Sequence, residues 1–201
     1  MISFTNYQNK SLFYLKYDNI YKWVYNLPLD KNFLEILEVE HAEAIEFKPS
    51  FNYDILSLPN CIKQIIFPIN SDFNQPLTNL PLELEELELY DKFNQPLHSL
   101  PHGLKRLIIN GDFNHPLDNL PSTLEYLEIR GEFNYPLDNL PSNLKMLVIK
   151  DVYDYNNYNF KSCIVRSHNK SQSKFSQPIN RLPNKDVQVH ITTKLYLSLS
   201  K

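Results

Sequence analysis

The sequence predicts a solenoid of short stacked repeats, with a parallel β-sheet on one face and an extended, turn-rich convex side holding little helix. Three observations carry that expectation. A pentapeptide returns every 20 residues, a Leu-Pro pair follows seven positions after its Phe, and an apolar triplet spaced as L-x-x-L-x-[LI] closes each unit. Self-similarity at a fixed short period is the signature of repeat architectures.

The pentapeptide Phe73-Asn74-Gln75-Pro76-Leu77 returns as Phe93-Asn94-Gln95-Pro96-Leu97, Phe113-Asn114-His115-Pro116-Leu117 and Phe133-Asn134-Tyr135-Pro136-Leu137. Leu80-Pro81, Leu100-Pro101, Leu120-Pro121 and Leu140-Pro141 follow, and then the triplets Leu84/Leu87/Leu89, Leu104/Leu107/Ile109, Leu124/Leu127/Ile129 and Leu144/Leu147/Ile149. The clear units are therefore 73–92, 93–112, 113–132 and 133–152. Degenerate units flank them. In 51–72, Phe51-Asn52 leads to Leu58-Pro59 and Ile62/Ile65/Phe67 with two extra residues. In 153–174, Tyr153, Phe160 and Ile164 hold the expected places, and in 175–191 Phe175 leads to Leu182-Pro183 and Val189/Ile191. Segment 1–50, with Leu27-Pro28 and Leu34/Leu37/Val39, reads as an N-terminal cap with a partial repeat, and 192–201 as a C-terminal strand or tail.

Each element of the unit has a physical reading. A tail such as Leu87-Glu88-Leu89 alternates apolar and polar residues, as a half-buried strand does. Two Pro per unit bias the return path toward extended backbone and exclude long helices there. A single unit cannot bury enough apolar surface by itself, so stability comes from stacking. The recurring Asn52, Asn74, Asn94, Asn114 and Asn134 are expected to lie buried beneath the Phe residues and to form a structural ladder of amides that satisfies loop backbone groups. Lys63, Glu85, Lys105, Glu125 and Lys145 occupy one column with alternating sign, a pattern that favours correct register.

Composition sets the outer limits. With 42% hydrophobic and 13% aromatic residues the chain can build a core, which excludes wholesale disorder. A net charge of −3 without a Lys/Arg cluster gives no footprint for nucleic acid. Three Gly against 14 Pro argues against phosphate-binding loops. Cys61 and Cys163 form no metal or redox spacing, and the N-terminus carries no basic stretch leading into an apolar one. No apolar run reaches the roughly 20 residues of a membrane span. The reading is an intracellular, cytoplasmic protein that contacts neither nucleic acid nor membrane, with Asn9 and Asn169 as chance matches to the glycosylation sequon.

Chemistry-bearing constellations are sparse. His98 and His102 are four apart, but Pro101 breaks the helix that would aim both at a metal. Glu86 and Glu88 could mimic a carboxylate pair, yet a shallow face does not dehydrate such groups. No catalytic, cofactor-binding or metal-binding residue is expected. The candidate surface is the outward side of the strands: Glu86, Glu88 and Tyr90; Arg106, Ile108 and Asn110; Tyr126, Glu128 and Arg130; Met146, Val148 and Lys150. These residues vary on a constant frame, and aromatics, Arg and Met are enriched at interfaces.

The F-N-x-P-L…L-P-x-x-L-x-x-L pattern resembles the FNIP repeat, a leucine-rich-repeat relative abundant in social amoebae and in giant DNA viruses of amoebae. Residues 73–149 carry the pattern closely, and 51–191 carry it when degenerate units are included. The third letter departs from the namesake Ile at Gln75, Gln95, His115 and Tyr135, and the 20-residue period is shorter than the usual unit. The Leu-Pro portion is also similar to the short leucine-rich repeats of bacterial effectors. The resemblance implies a leucine-rich-repeat-like solenoid and a non-enzymatic scaffold, here expected to be a monomer that binds an unidentified protein partner. Some family members add an F-box-like segment; an eroded one in 1–50 would make the chain a substrate-recruiting adaptor. The remaining alternative is a decayed duplicate with no dedicated ligand.

Overall fold

The alternating tail of each unit is a strand, and the strands stack side by side. The computed structural model describes residues 2–7, 10–17, 20–25, 28–131, 133, 135–137, 139–150 and 187–192. The repeat strands are β4 (Ala44–Phe47), β5 (Gln64–Phe67), β6 (Glu86–Asp91), β7 (Arg106–Gly111), β8 (Tyr126–Gly131) and β9 (Met146–Lys150). Before them come β1 (Ile2–Tyr7), β2 (Lys10–Tyr17) and β3 (Ile20–Tyr25), and β10 (Gln188–Thr192) follows. All these strands lie in one sheet in chain order. The first three pair antiparallel, and every pairing from β3 onward is parallel.

Register follows from the apolar triplet. Leu87, Leu107, Leu127 and Leu147 form one inward row with Ile45 and Ile65, all at 0% exposure. A slip of one residue would drive Glu88 and Glu128 into this core, so the alternation locks the pairing. The Leu-Pro pair makes the turn into the strand. The carbonyls of Pro81, Pro101, Pro121 and Pro141 accept the N–H of Leu84, Leu104, Leu124 and Leu144 at 3.1–3.2 Å, which aims the first Leu of each triplet inward.

On the opposite side the Phe residues stack. Rings 51, 73, 93, 113 and 133 follow one another at 6.1–6.2 Å between centroids, and from Phe73 onward neighbouring planes differ by only 4–9°. Phe47 and Phe67, at the ends of adjacent strands, lie 4.8 Å apart, the ordinary strand spacing. Units are thus wider on the Phe side than on the strand side. This wedge shape makes the sheet the concave face and the Phe-Asn-Pro path the convex one.

One feature differs from the sequence expectation, and a second shows how an expected irregularity is accommodated. Leu34, Leu37 and Val39 do not supply a partial strand triplet; they lie in α1 (Lys31–Val39), the one helix among the described residues. Asp30 caps it by accepting the Phe33 N–H at 2.9 Å, and Phe33 and Leu37 are its buried face. No Pro interrupts 31–39, so this one return path can be helical. It ends where His41 takes a positive φ of 48° and the Ala42 N–H returns to the Leu37 carbonyl. The true triplet of this unit is Ala42/Ile45/Phe47, 20 residues before Ile62/Ile65/Phe67. The second feature is the pair of extra residues in 51–72, taken up by a turn in which the Ser71 N–H donates to the Pro68 carbonyl. Fully buried Ser71 then accepts the Phe73 N–H at 3.2 Å. The eroded unit with Tyr153, Phe160 and Ile164, and Phe175 with Leu182-Pro183, lie outside the described residues.

Candidate binding face and the asparagine row

Three columns of outward side chains cross the concave sheet. One edge column runs Gln64, Glu86, Arg106, Tyr126, Met146; the middle runs Ile66, Glu88, Ile108, Glu128, Val148; the other edge runs Tyr90, Asn110, Arg130, Lys150. Every expected face residue therefore takes its place on one surface, although the side chain of Lys150 is outside the described set. Gln64 and Ile66 join the columns unannounced; allowing for the two-residue insertion, their offset from Glu86 and Glu88 was the available signal.

The expected exposure is wrong for four of these residues. Ile108 and Glu128 are 3% exposed, and Asn110 and Val148 are 6% exposed. Neighbours within a column stand about 4.8 Å apart and adjacent columns only about 6.4–6.8 Å apart, so long side chains from the edge columns reach over the middle one. The hydrogen bonds show how. Tyr126 donates its hydroxyl to Glu128 Oε2 at 2.6 Å, and Arg130 Nε donates to Glu128 Oε1 at 2.6 Å. Tyr90 donates to Glu88 Oε2 at 3.3 Å, and Arg106 Nη2 lies 3.9 Å from Glu88 Oε1. At the rim, Gln64 Nε2 donates to Glu86 Oε2 at 2.8 Å.

The surface is thus a polar lattice with the carboxylates in the middle. Burial, then the Glu88 charge, pushes the Tyr90 hydroxyl from its ordinary 10.0 up to about 12. Burial and the hydrogen bond to Glu128 push Tyr126 up as well. Both remain donors through the neutral range. The Arg106 guanidinium sits 4.5 Å over the Tyr126 ring, a cation–π contact that fixes both side chains. Two buried atoms of this face have no hydrogen-bond partner among the described residues: Arg106 Nη1 and Asn110 Oδ1.

The Asn residues do not lie beneath the Phe rings. Asn74 is half-buried, and Asn52, Asn94 and Asn114 are exposed. The residue after an inward-pointing Phe in extended backbone must point outward. They do form a row. Asn52 Oδ1 accepts the Asn74 N–H at 3.0 Å, Asn74 Oδ1 accepts the Asn94 N–H at 2.9 Å, and Asn94 Oδ1 accepts the Asn114 N–H at 3.0 Å. Asn134 lies outside the described residues. An open groove of about 570 Å³ runs beside the row, lined by Ser50, Asn52, Asp72, Asn74, Lys92, Asn94 and Asp112. The alternating column near the strand entrances closes as ion pairs: Lys63–Glu43 at 3.0 Å, Lys105–Glu85 at 2.9 Å and Lys145–Glu125 at 2.7 Å. All are solvent-exposed, so they act on register more than on stability.

Among the described residues, no group of three or more His, Cys, Asp or Glu is placed to hold a metal, and no helix is long and apolar enough to cross a membrane. No curated protein matches the chain. Among solved structures, CroV588, described as a novel circular LRR protein, is similar over 73% of this chain with 27% identity and a TM-score of 0.57. This chain spans 20% of that protein's length. Residues 73–111 and 93–132 match the profile of the FNIP Repeat family. With the parallel sheet and the stacked Phe path, residues 73–132 match FNIP repeats within a leucine-rich-repeat-like solenoid.

Proposed function

We propose that the chain is a non-enzymatic scaffold that binds a protein partner through its concave strand face. The observation that carries this reading is the Arg106–Tyr126 stack at 4.5 Å, held by the Tyr126–Glu128 hydrogen bond, with half-exposed Met146 next in the same column. Arg, Tyr and Met are enriched at protein interfaces, and Arg and Tyr are among the residues that dominate their energetics. The scaffold character of the fold and the variation of the face on a constant frame support the same reading.

The test compares partner capture by the native chain, by Arg106→Ala with Tyr126→Ala, and by Met146→Ala. The double variant is expected to lose the partner, since anchors commonly contribute about 2 kcal/mol or more each. Met146→Ala is expected to weaken capture while leaving the melting temperature within a few degrees, because its side chain is half-exposed. Undiminished capture by both variants overturns the assignment of the face.

A further inference from the structure

The convex groove beside the asparagine row has the features of a second binding site. Each amide in the row is fixed in orientation. Asn52 Oδ1 accepts the Asn74 N–H and also Gln75 Nε2 at 3.1 Å, and Asn74 Oδ1 accepts the Asn94 N–H and Gln95 Nε2 at 3.1 Å. A flipped amide would set a donor against these donors, so oxygen and nitrogen are assigned by the network. The Nδ2 groups of Asn52, Asn74 and Asn94 have no protein partner among the described residues, and all three line the groove. The result is a row of preorganised donors, one per unit.

Their spacing selects the ligand. The Phe stack beside them sets the unit repeat at 6.1–6.2 Å on this side. Carbonyls on one edge of an extended peptide recur every second residue, about 6.4–6.8 Å apart. Across the two steps from Asn52 to Asn94 the mismatch accumulates to roughly 1.4 Å at most, which a twisted strand absorbs. The opposite wall adds charge. Asp72, Lys92 and Asp112 alternate in sign, but unlike the Lys–Glu column near the strands they form no ion pair among the described residues.

We propose that this groove binds an extended segment of another protein lying along the stack, its alternate carbonyls on Asn52, Asn74 and Asn94. Outward side chains at every second position reach the charged wall, which calls for the order basic, acidic, basic opposite Asp72, Lys92 and Asp112. The site is separate from the concave face and stands or falls independently of it.

Titration calorimetry on the whole chain with the heptapeptide Thr-Lys-Thr-Glu-Thr-Lys-Thr, its charge-swapped counterpart Thr-Glu-Thr-Lys-Thr-Glu-Thr, and cellohexaose tests this. The first peptide is expected to bind saturably and the swapped one about tenfold or more weaker, since charge placement acts mainly on discrimination. Asn74→Asp with Asn94→Asp keeps every oxygen acceptor of the row, and replaces each outward donor by a negatively charged oxygen that faces the peptide carbonyl. It is expected to weaken the first peptide about tenfold or more with the melting temperature little changed. In the native chain, the side-chain amide NMR signals of Asn74 and Asn94 should shift on adding the first peptide while that of Asn119, away from the groove, stays in place. No saturable binding below about 1 mM, equal binding of both peptides, unmoved amide signals, or binding of the oligosaccharide alone overturns the proposal.

Discussion

A side-chain oxygen does different work at Asn94 and at Asp118, although both residues are exposed. Asn94 Oδ1 holds the N–H of the next unit at 3.0 Å, whereas Asp118 accepts only from exposed Asn139 at 3.1 Å. Asn94→Ala is therefore expected to cost about 1–2 kcal/mol in urea unfolding, and Asp118→Ala less than about 0.5 kcal/mol. Equal losses would mean the row contributes nothing to the stack. Gly131 is tighter still. It sits at φ 119°, and a Cβ there would lie 2.2 Å from the carbonyl oxygen of Gly111. Gly131→Ala is expected to cost about 2 kcal/mol or more in the same measurement. Two of the chain's three glycines stand 20 apart at this column, a signal the motif left unspecified. Their positive φ follows from the close approach of successive units, which only stacked backbones reveal.

At the scale of an element, β8 shows how a strand face becomes a lattice. Its residues Tyr126, Glu128 and Arg130 share one side, and both neighbours close on the carboxylate at 2.6 Å. The raised hydroxyls give a pH dependence with a definite sign. In the unfolded chain Tyr90 ionises near 10.0, and in the fold it holds its proton up to about 12. Its contribution is complete below pH 10 and is lost as the pH rises through 12. Tyr126 acts in the same direction. Unfolding midpoints should therefore be flat across the neutral range and fall on the alkaline side, with a shallower alkaline fall in the Tyr90→Phe and Tyr126→Phe variants. An unchanged alkaline slope in both would remove these hydroxyls from the account. The helix α1 makes the complementary point. Its capping Asp30 and Pro-free run were readable, but the Leu34/Leu37/Val39 spacing imitates the repeat triplet. Only the burial of Leu37 beside the 76% exposure of Val39 distinguishes a helix face from a strand.

Across the whole molecule, each unit buries its triplet and its Phe against the units on either side, so ends are costly. Fragment 73–149 would present open apolar rows such as Leu87 and Leu147 at its two ends. It is expected to be poorly soluble and to lack the single sharp transition of the full chain; a soluble, sharply melting monomer would show that the flanking segments are dispensable. The sequence by itself determined the period, the inward rows, the parallel register and the alternating ion pairs, because each rests on spacing along the chain and on the two-residue rhythm of a strand. Tertiary structure alone decided exposure and curvature. The 6.1–6.2 Å repeat of the Phe rings, against the roughly 4.8 Å spacing of paired strands, bends the stack and opens the groove beside Asn52, Asn74 and Asn94. Glu128 is closed over by Tyr126 and Arg130 of its own strand and flanked in register by Ile108 and Val148 of the neighbouring units, an arrangement complete only once the strands stack. How much water a residue meets depends on what its neighbours in adjacent units place over it, and no single unit carries that information.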